Sequence, residues 1–383
     1  MKIFYVYYSL TTVGGADRVI TEKANYLAEN GHEVAIVTTS QNGREPSFPL
    51  SPRVRLINID IDFDRQYRYN IIMRACIYFV YMRRYKRALT RLLRIEKPDI
   101  VMTTLGRDME FLTSIDDGSV KIGESHVAKE YSRNFHLLEQ RGGIYKLVAR
   151  HYRRKQEKAV SKLAALVLLT EHDADSWKGI TDTYVIPNSL PFYPELSSGC
   201  DNKSVLCVGR LNEQKGYEYM VEAWEMVCKR HPDWTVNVYG EGEEECRLRE
   251  MIARKGLEKS FLIHKPTKNI MEKYLESSIY VMSSRFEGFG MVLIEAMACG
   301  VPCVSFDCPY GPADIISDGE DGFLVGYKNS KALADKICFL IENEDTRKQM
   351  GRKAKDNIRR YSRERVMKMW TDLFEAELLR AKG

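Results

Sequence analysis

Residues Ile279 to Gly300 read IYVMSSRFEGFGMVLIEAMACG. Ile279 to Met282 predict a short buried strand, Gly288 and Gly290 a turn, and the apolar run from Met291 to Ala298 a helix. Strand, glycine turn and helix in that order build parallel sheets covered on both faces. Glycines in the turn let the backbone approach a ligand without a Cβ clash. The free N–H groups around Gly288, Phe289, Gly290, Met291 and Val292, together with the helix dipole, suit a diphosphate. Two carboxylates bracket that turn. Glu287 lies in the loop, facing whatever hangs from the diphosphate, and Glu295 about one turn into the helix, within reach of a ribose. A carboxylate accepts paired hydrogen bonds from a sugar diol, so one Glu per ring makes chemical sense. Either Glu alone would read as solvated or ion-paired; the pair around a glycine-rich helix start favours binding.

The alternation extends outward in both directions. Strand candidates in the first half are 3–7, 34–38, 100–103, 120–123, 165–169 and 183–186, with helix candidates at 16–30, 69–95, 143–160 and 171–177. Strands restart at 204–208, 235–239, 261–264, 279–282, 302–306 and 323–325, with helices at 217–230, 243–255, 270–276 and 290–298. Pro187, Pro191 and Pro194 mark the linker between halves. The chain's 383 residues therefore read as two α/β doubly wound domains in tandem, placing a ligand cleft between their strand carboxyl ends. Residues 1–190 form the first domain and 191–362 the second. The helix 363–383 lies past the second pattern, where it could cross back toward the first.

Composition excludes several classes. Hydrophobic residues make up 44% and charged residues 29%, the balance of a soluble globular protein. No signal peptide or membrane span is legible, because Arg74 interrupts the longest apolar candidate, Ile71 to Met82. The nine cysteines show no paired CxxC spacing, and a reducing cytoplasm is the simplest setting. The net charge of +5 is unevenly spread: residues 1–190 hold 29 Lys and Arg against 22 Asp and Glu. Arg65 to Arg94 includes nine basic residues and no acid, interleaved with tyrosines. Ile71, Ile72, Ala75, Tyr78, Phe79 and Met82 fall at helical spacing there, the pattern of an amphipathic basic helix meeting anionic lipid rather than nucleic acid, or of a solvated helix facing its own domain.

Five segments in order then resemble one family. Glu287 and Glu295 form an E-x7-E pattern. VGRLNEQKG (Val208 to Gly216), GGADRV (Gly14 to Val19), VIPNS (Val185 to Ser189) and GVPCVSFDCPYGPADIISDGEDGFLV (Gly300 to Val325) complete the set. Together they resemble retaining glycosyltransferases of family 4, the glycosyl transferases group 1, although Asp17 stands where Glu is more usual. The resemblance covers nearly the whole chain. It implies a GT-B fold, two Rossmann-like domains facing across a cleft, the first on the acceptor side and the second binding a nucleotide-sugar donor. Arg210 and Lys215 follow a strand end and would place two cations against the diphosphate leaving group. Gly14 and Gly15 would offer backbone N–H groups from the other domain. His126, in IGESHVAKEY, would reach the transferred sugar, with Glu124 a competitor for that work. His264 and Lys265 join the donor-binding set.

The expected reaction moves a hexosyl group, with retention, from a UDP-sugar to a glycan or polyprenyl-diphosphate-linked acceptor. The pathway implied is bacterial surface polysaccharide assembly, as lipopolysaccharide, capsule or exopolysaccharide. The enzyme would be cytoplasmic, peripheral at the inner membrane face through Arg65 to Arg94. No metal is expected: Asp116–Asp117 and Asp62/Asp64 are the tempting pairs, and both read as solvated loop residues. A nicotinamide dehydrogenase is rejected, because Gly240-Glu241-Gly242 lacks the third glycine and Glu243 to Glu245 would repel a pyrophosphate. A nucleotide-sugar epimerase of the same architecture, and a non-enzymatic basic module binding membrane or nucleic acid, are the alternatives.

Overall fold

In a computed structural model, every residue is described except Val13, Phe135, His136, Leu138, Gln140 and Gly383. The chain divides into two compact units, Met1–Pro187 with Val366–Gly383, and Asn188–Arg365.

The first unit is built on a seven-stranded parallel sheet. Its strands are β1 (Lys2–Tyr7), β2 (Glu33–Thr38), β3 (Val54–Asn58), β4 (Ile100–Thr103), β5 (Val120–Glu124), β6 (Ala165–Leu168) and β7 (Thr183–Val185). They lie in the order β3-β2-β1-β4-β5-β6-β7. The helices α1 (Gly15–Glu29), α2 (Ile71–Glu96), α3 (Gly143–Val160) and α4 (Glu171–Trp177) connect them. Alternate residues of β1 feed two cores, as a strand period of two requires. Ile3 and Tyr5 pack with Ile20 and Leu27 of α1, while Phe4 and Val6 pack with Tyr85, Leu89 and Leu93 of α2.

The second unit repeats the plan with six parallel strands, β8 (Ser204–Val208), β9 (Thr235–Tyr239), β10 (Phe261–His264), β11 (Ile279–Met282), β12 (Cys303–Phe306) and β13 (Gly322–Val325). Their order is β10-β9-β8-β11-β12-β13. Between and after them run α5 (Tyr217–Arg230), α6 (Glu245–Arg254), α7 (Ile270–Leu275), α8 (Met291–Ala298), α9 (Pro312–Ile315), α10 (Ser330–Glu342) and α11 (Glu344–Asn357). In both sheets the first strand lies inside and the order reverses beside it. Doubly wound sheets bind ligands outside the strand carboxyl ends at that switch point.

The last helix, α12 (Arg363–Lys382), gives its apolar side chains to the first unit. Val366, Met367, Trp370, Leu373 and Phe374 join the core of β1 and α1. The Tyr184 hydroxyl donates to Glu377 at 3.0 Å, and Arg380 pairs with Asp182 at 2.6 Å.

Several features differ from the sequence reading, among them the helices α9, α10 and α11, which were not expected. β3 was not expected, because it is an edge strand of five residues in which Val54 alone is buried and Arg55 is exposed. The apolar face read on α2 is split: Tyr78, Tyr81, Met82 and Tyr85 turn inward, whereas Ile72 is 75% and Phe79 60% exposed; the side chain of Ile71 lies outside the described residues. Asp62, Asp64 and Asp117 are not simply solvated. Asp62 caps the 3₁₀ turn Phe63–Arg68, Asp64 accepts the Tyr8 hydroxyl, and Asp117 pairs with Lys121.

Candidate active site

In the second unit β8 and β11 are neighbours, and two loops leave their carboxyl ends, 209–216 and 283–290. Backbone and side-chain bonds fasten one to the other. Arg285 N–H donates to the Gln214 carbonyl at 2.7 Å, the Gln214 amide to the Phe286 carbonyl at 3.0 Å, and the Ser283 hydroxyl to the Lys215 carbonyl at 3.1 Å. Gly216 sits at φ +58°, and a Cβ there would collide with the Ser283 carbonyl oxygen. Glycine is therefore required twice over, for its dihedral and for its missing side chain.

This fastening brings two predicted residues together. Lys215 Nζ lies 2.7 Å from Glu287 Oε1, and the Ser284 hydroxyl donates to the same oxygen at 2.6 Å. Both charged side chains are largely buried, so each depends on its partner. Arg210, one residue past Gly209, is exposed and has no side-chain partner among the described residues.

Gly240 and Gly242, dismissed above as a dinucleotide fingerprint, have a structural use. A Cβ on Gly240 would strike the Gly209 carbonyl, and one on Gly242 the Leu211 carbonyl. Leu211 N–H donates to Glu241 and Glu244 N–H to Leu211, both at 2.9 Å, so the turn after β9 braces the loop that carries Arg210.

The remaining donor-side residues are more dispersed. Gly290 precedes α8 at φ +106°. Gly288, Met291 and Val292 are half-buried around that helix start. Phe289 turns inward, edge-on to Tyr361 at 5.4 Å, so its backbone rather than its ring is available to a ligand. Glu295 is buried and accepts the Tyr274 hydroxyl at 2.9 Å. His264 stacks on Tyr239 at 4.7 Å and bonds Asn237 at 2.8 Å, while Lys265 is exposed and pairs with Glu245 at 3.4 Å.

In the first unit, the Gly14 end of α1 is shaped by Asp17. That carboxylate accepts from the Tyr7 hydroxyl at 2.7 Å and from Thr12 N–H and hydroxyl at 2.9 and 2.8 Å, folding the loop after β1 back onto the helix. Gly14 caps α1 and Gly15 begins it.

At the carboxyl end of β5, Glu124 is held by Lys23 at 2.5 Å, both buried. His126 Nε2 lies 3.4 Å from Glu124 Oε1. Neither ring nitrogen of His126, though buried, has a hydrogen-bond partner among the described residues. Burial pushes the His126 pKa down against the pull of Glu124, with Lys23 pushing the same way, so the ring is neutral. Burial raises the Glu124 carboxyl, but Lys23 and His126 outweigh it and the net shift is downward. Glu124 is thus occupied by Lys23, and His126 is the group left open.

Lys23 and Tyr274 were missed by the sequence reading. Lys23 had a legible signal: it interrupts the buried stripe Ile20, Ala24, Leu27 of α1, where a cation needs a buried anion. It lies 3.8 Å from the Trp370 ring.

Comparison with known proteins agrees with this architecture. Residues 195–357 match the family model Glycosyl transferases group 1, and residues 13–109 match Glycosyltransferase Family 4. The amylovoran biosynthesis glycosyltransferase AmsD of Erwinia amylovora is 28% identical over 382 residues, 97% of this chain and 99% of that protein. The poly(ribitol-phosphate) alpha-N-acetylglucosaminyltransferase of Staphylococcus aureus is 29% identical over 231 residues, 58% of this chain and 47% of that protein. A structure of S. aureus TarM with fondaparinux, alpha-GlcNAc-glycerol and UDP superposes at TM-score 0.78 with 18% identity, covering 97% of this chain and 99% of that one. With residues 195–357 matching glycosyl transferases group 1, residues 13–109 matching Glycosyltransferase Family 4, and the two parallel sheets superposing on TarM, the chain has the GT-B fold and is a glycosyltransferase.

Proposed function

We propose that the chain is a retaining, metal-independent hexosyltransferase. Its donor is a nucleotide diphosphate sugar, a UDP-hexose, and its acceptor a glycan or polyprenyl-diphosphate-linked glycan of a bacterial surface polysaccharide. The observation that carries this reading is the Lys215–Glu287 pair at the switch point of the second sheet, beside Arg210, which has no side-chain partner among the described residues. Two cations suffice to neutralise a departing diphosphate, the largest electrostatic help such a reaction can receive. Lys215 exchanges Glu287 for the diphosphate when donor binds, and the freed carboxylate accepts from sugar hydroxyls. His126, neutral and open at both nitrogens, hydrogen-bonds the transferred sugar. Glu295 serves the ribose after giving up the Tyr274 hydroxyl.

In the chemical step the acceptor oxygen bonds to the anomeric carbon on the face the leaving group departs. The bond from that carbon to the diphosphate breaks, its electron pair leaving with UDP. The acceptor proton passes to the departing phosphate oxygen. The likeness to AmsD supports a polysaccharide product. The alpha linkage in the name of the ribitol-phosphate relative supports retention, and the UDP bound to TarM supports the nucleotide.

The test is a panel of nucleotide sugars in EDTA, read by thermal shift and nucleotide release. One UDP-hexose is expected to raise the melting temperature by mass action and to be turned over; a panel with no stabilisation and no release contradicts the reading. No helix among the described residues is long and apolar enough to cross a membrane. Ile72 and Phe79, exposed on α2 beside Arg74, Arg83 and Arg87, are read as the contact with anionic lipid. Salt-sensitive flotation with anionic vesicles is expected, and its absence argues against membrane contact.

A further inference from the structure

The loops at the switch point of the first sheet line a pocket of about 70 Å³. Tyr7 and Tyr8 come from the end of β1, Thr39 from just past β2, and Thr104 and Arg107 from just past β4. Ligands bind doubly wound sheets at this place. The Arg107 guanidinium rests 4.8 Å from the Phe63 ring and 5.8 Å from the Tyr8 ring. It has neither ion pair nor hydrogen bond among the described residues. The acids of the surrounding segments are committed elsewhere: Asp64 to the Tyr8 hydroxyl, Asp108 to Thr103, and Glu110 to Tyr78 and Lys155. The buried Asp108 carboxylate lines the same pocket, but its bond is to Thr103, and Arg107, half-buried on aromatic faces without an ion pair among the described residues, is placed to meet an incoming anion.

We propose that this pocket is a subsite for an acidic group on the acceptor saccharide, a phosphate or a carboxylate, with Arg107 as its cation. The inference rests on the transferase reading for the word acceptor. Room for one water takes roughly 10–15 Å³ of such space, so the pocket admits a group of phosphate or carboxylate size. The ring carrying that group stacks outside, on Tyr8, which is 37% exposed. Tyr8 cannot turn away freely, because its hydroxyl is tied to Asp64 at 2.5 Å.

The experiment compares binding of glucuronate, glucose 6-phosphate and glucose to the full chain by ligand-observed NMR, with excess UDP present to occupy the nucleotide side. At least one acidic sugar is expected to bind about ten-fold tighter than glucose, and the one that does so names the acid. Arg107→Gln is expected to abolish that preference and Arg107→Lys to retain part of it. Equal binding of all three sugars, or a preference that survives Arg107→Gln, overturns the proposal. Binding needs no turnover, so this result stands apart from the transferase reading, which UDP release from a UDP-hexose checks on separate, UDP-free samples of the same protein.

Discussion

Lys215 and Glu287 neutralise each other across 2.7 Å in a largely buried setting, and that mutual dependence sets what a substitution does. Lys215→Ala removes the cation that would meet the diphosphate and strands the carboxylate that would meet the sugar. A loss of about 2–4 kcal/mol of transition-state stabilisation is expected, read as a fall in kcat/KM of roughly 30- to 1000-fold. Near-normal turnover would remove Lys215 from the reaction. The buried His126 has a separate signature in stability. Its folded pKa lies below the ordinary 6.5, so under that pH the unfolded chain binds a proton that the folded chain does not. Stability therefore falls as pH drops below about 6.5. Melting curves of His126→Asn between neutral and mildly acidic pH are expected to show a shallower decline than wild type; an unchanged slope would contradict the buried, neutral ring. At this scale the sequence was readable in kind. Arg210 and Lys215 were singled out through the family resemblance and Glu287 by its place in the glycine turn, but the pairing of Lys215 with Glu287 was not legible. Neither the Lys23 partner of Glu124 nor the Tyr274 partner of Glu295 is near in sequence, and only the folded sheet brings them together.

The loops depend on glycines that no periodicity explains. Gly216, Gly240 and Gly311 each stand where a Cβ would strike a neighbouring carbonyl, respectively that of Ser283, Gly209 and Phe289. Gly240→Ala is expected to cost about 1–3 kcal/mol of stability through forced backbone movement. It should also weaken nucleotide-sugar binding, because the displaced loop carries Arg210; thermal melts with and without donor measure both. Wild-type stability and donor response together would show that the two turns do not touch. Most strands and helices were legible because buried parallel strands are continuous apolar runs, and the predicted bounds of β8 to β11 match residue for residue. β3 escaped because an edge strand buries little. α10 was passed over although Leu333, Ala334, Ile337 and Cys338 have helical spacing, while α9 is a four-residue turn too short to carry a period.

At the scale of the molecule, the chain end completes the first unit. Five large apolar side chains of α12 are buried in its core. At about 1.5–3 kcal/mol each, their burial rivals the roughly 5–15 kcal/mol net stability of a domain. Truncation after Arg365 is expected to expose β1 to β7 to hydrogen exchange while β8 to β13 keep their protection. Full protection of both sheets would show that α12 is dispensable. The return of this helix was foreseeable from its place past the second pattern, but its register on Trp370 and Lys23 was not. The family matches name the transfer; the stereochemical course is the claim that binds the two carboxylates, the two cations and the open histidine into one reaction. The anomeric configuration of the product formed from a UDP-α-hexose, read from its proton NMR coupling, tests that claim most directly. An α-linked product is predicted, and a β-linked product would contradict the account.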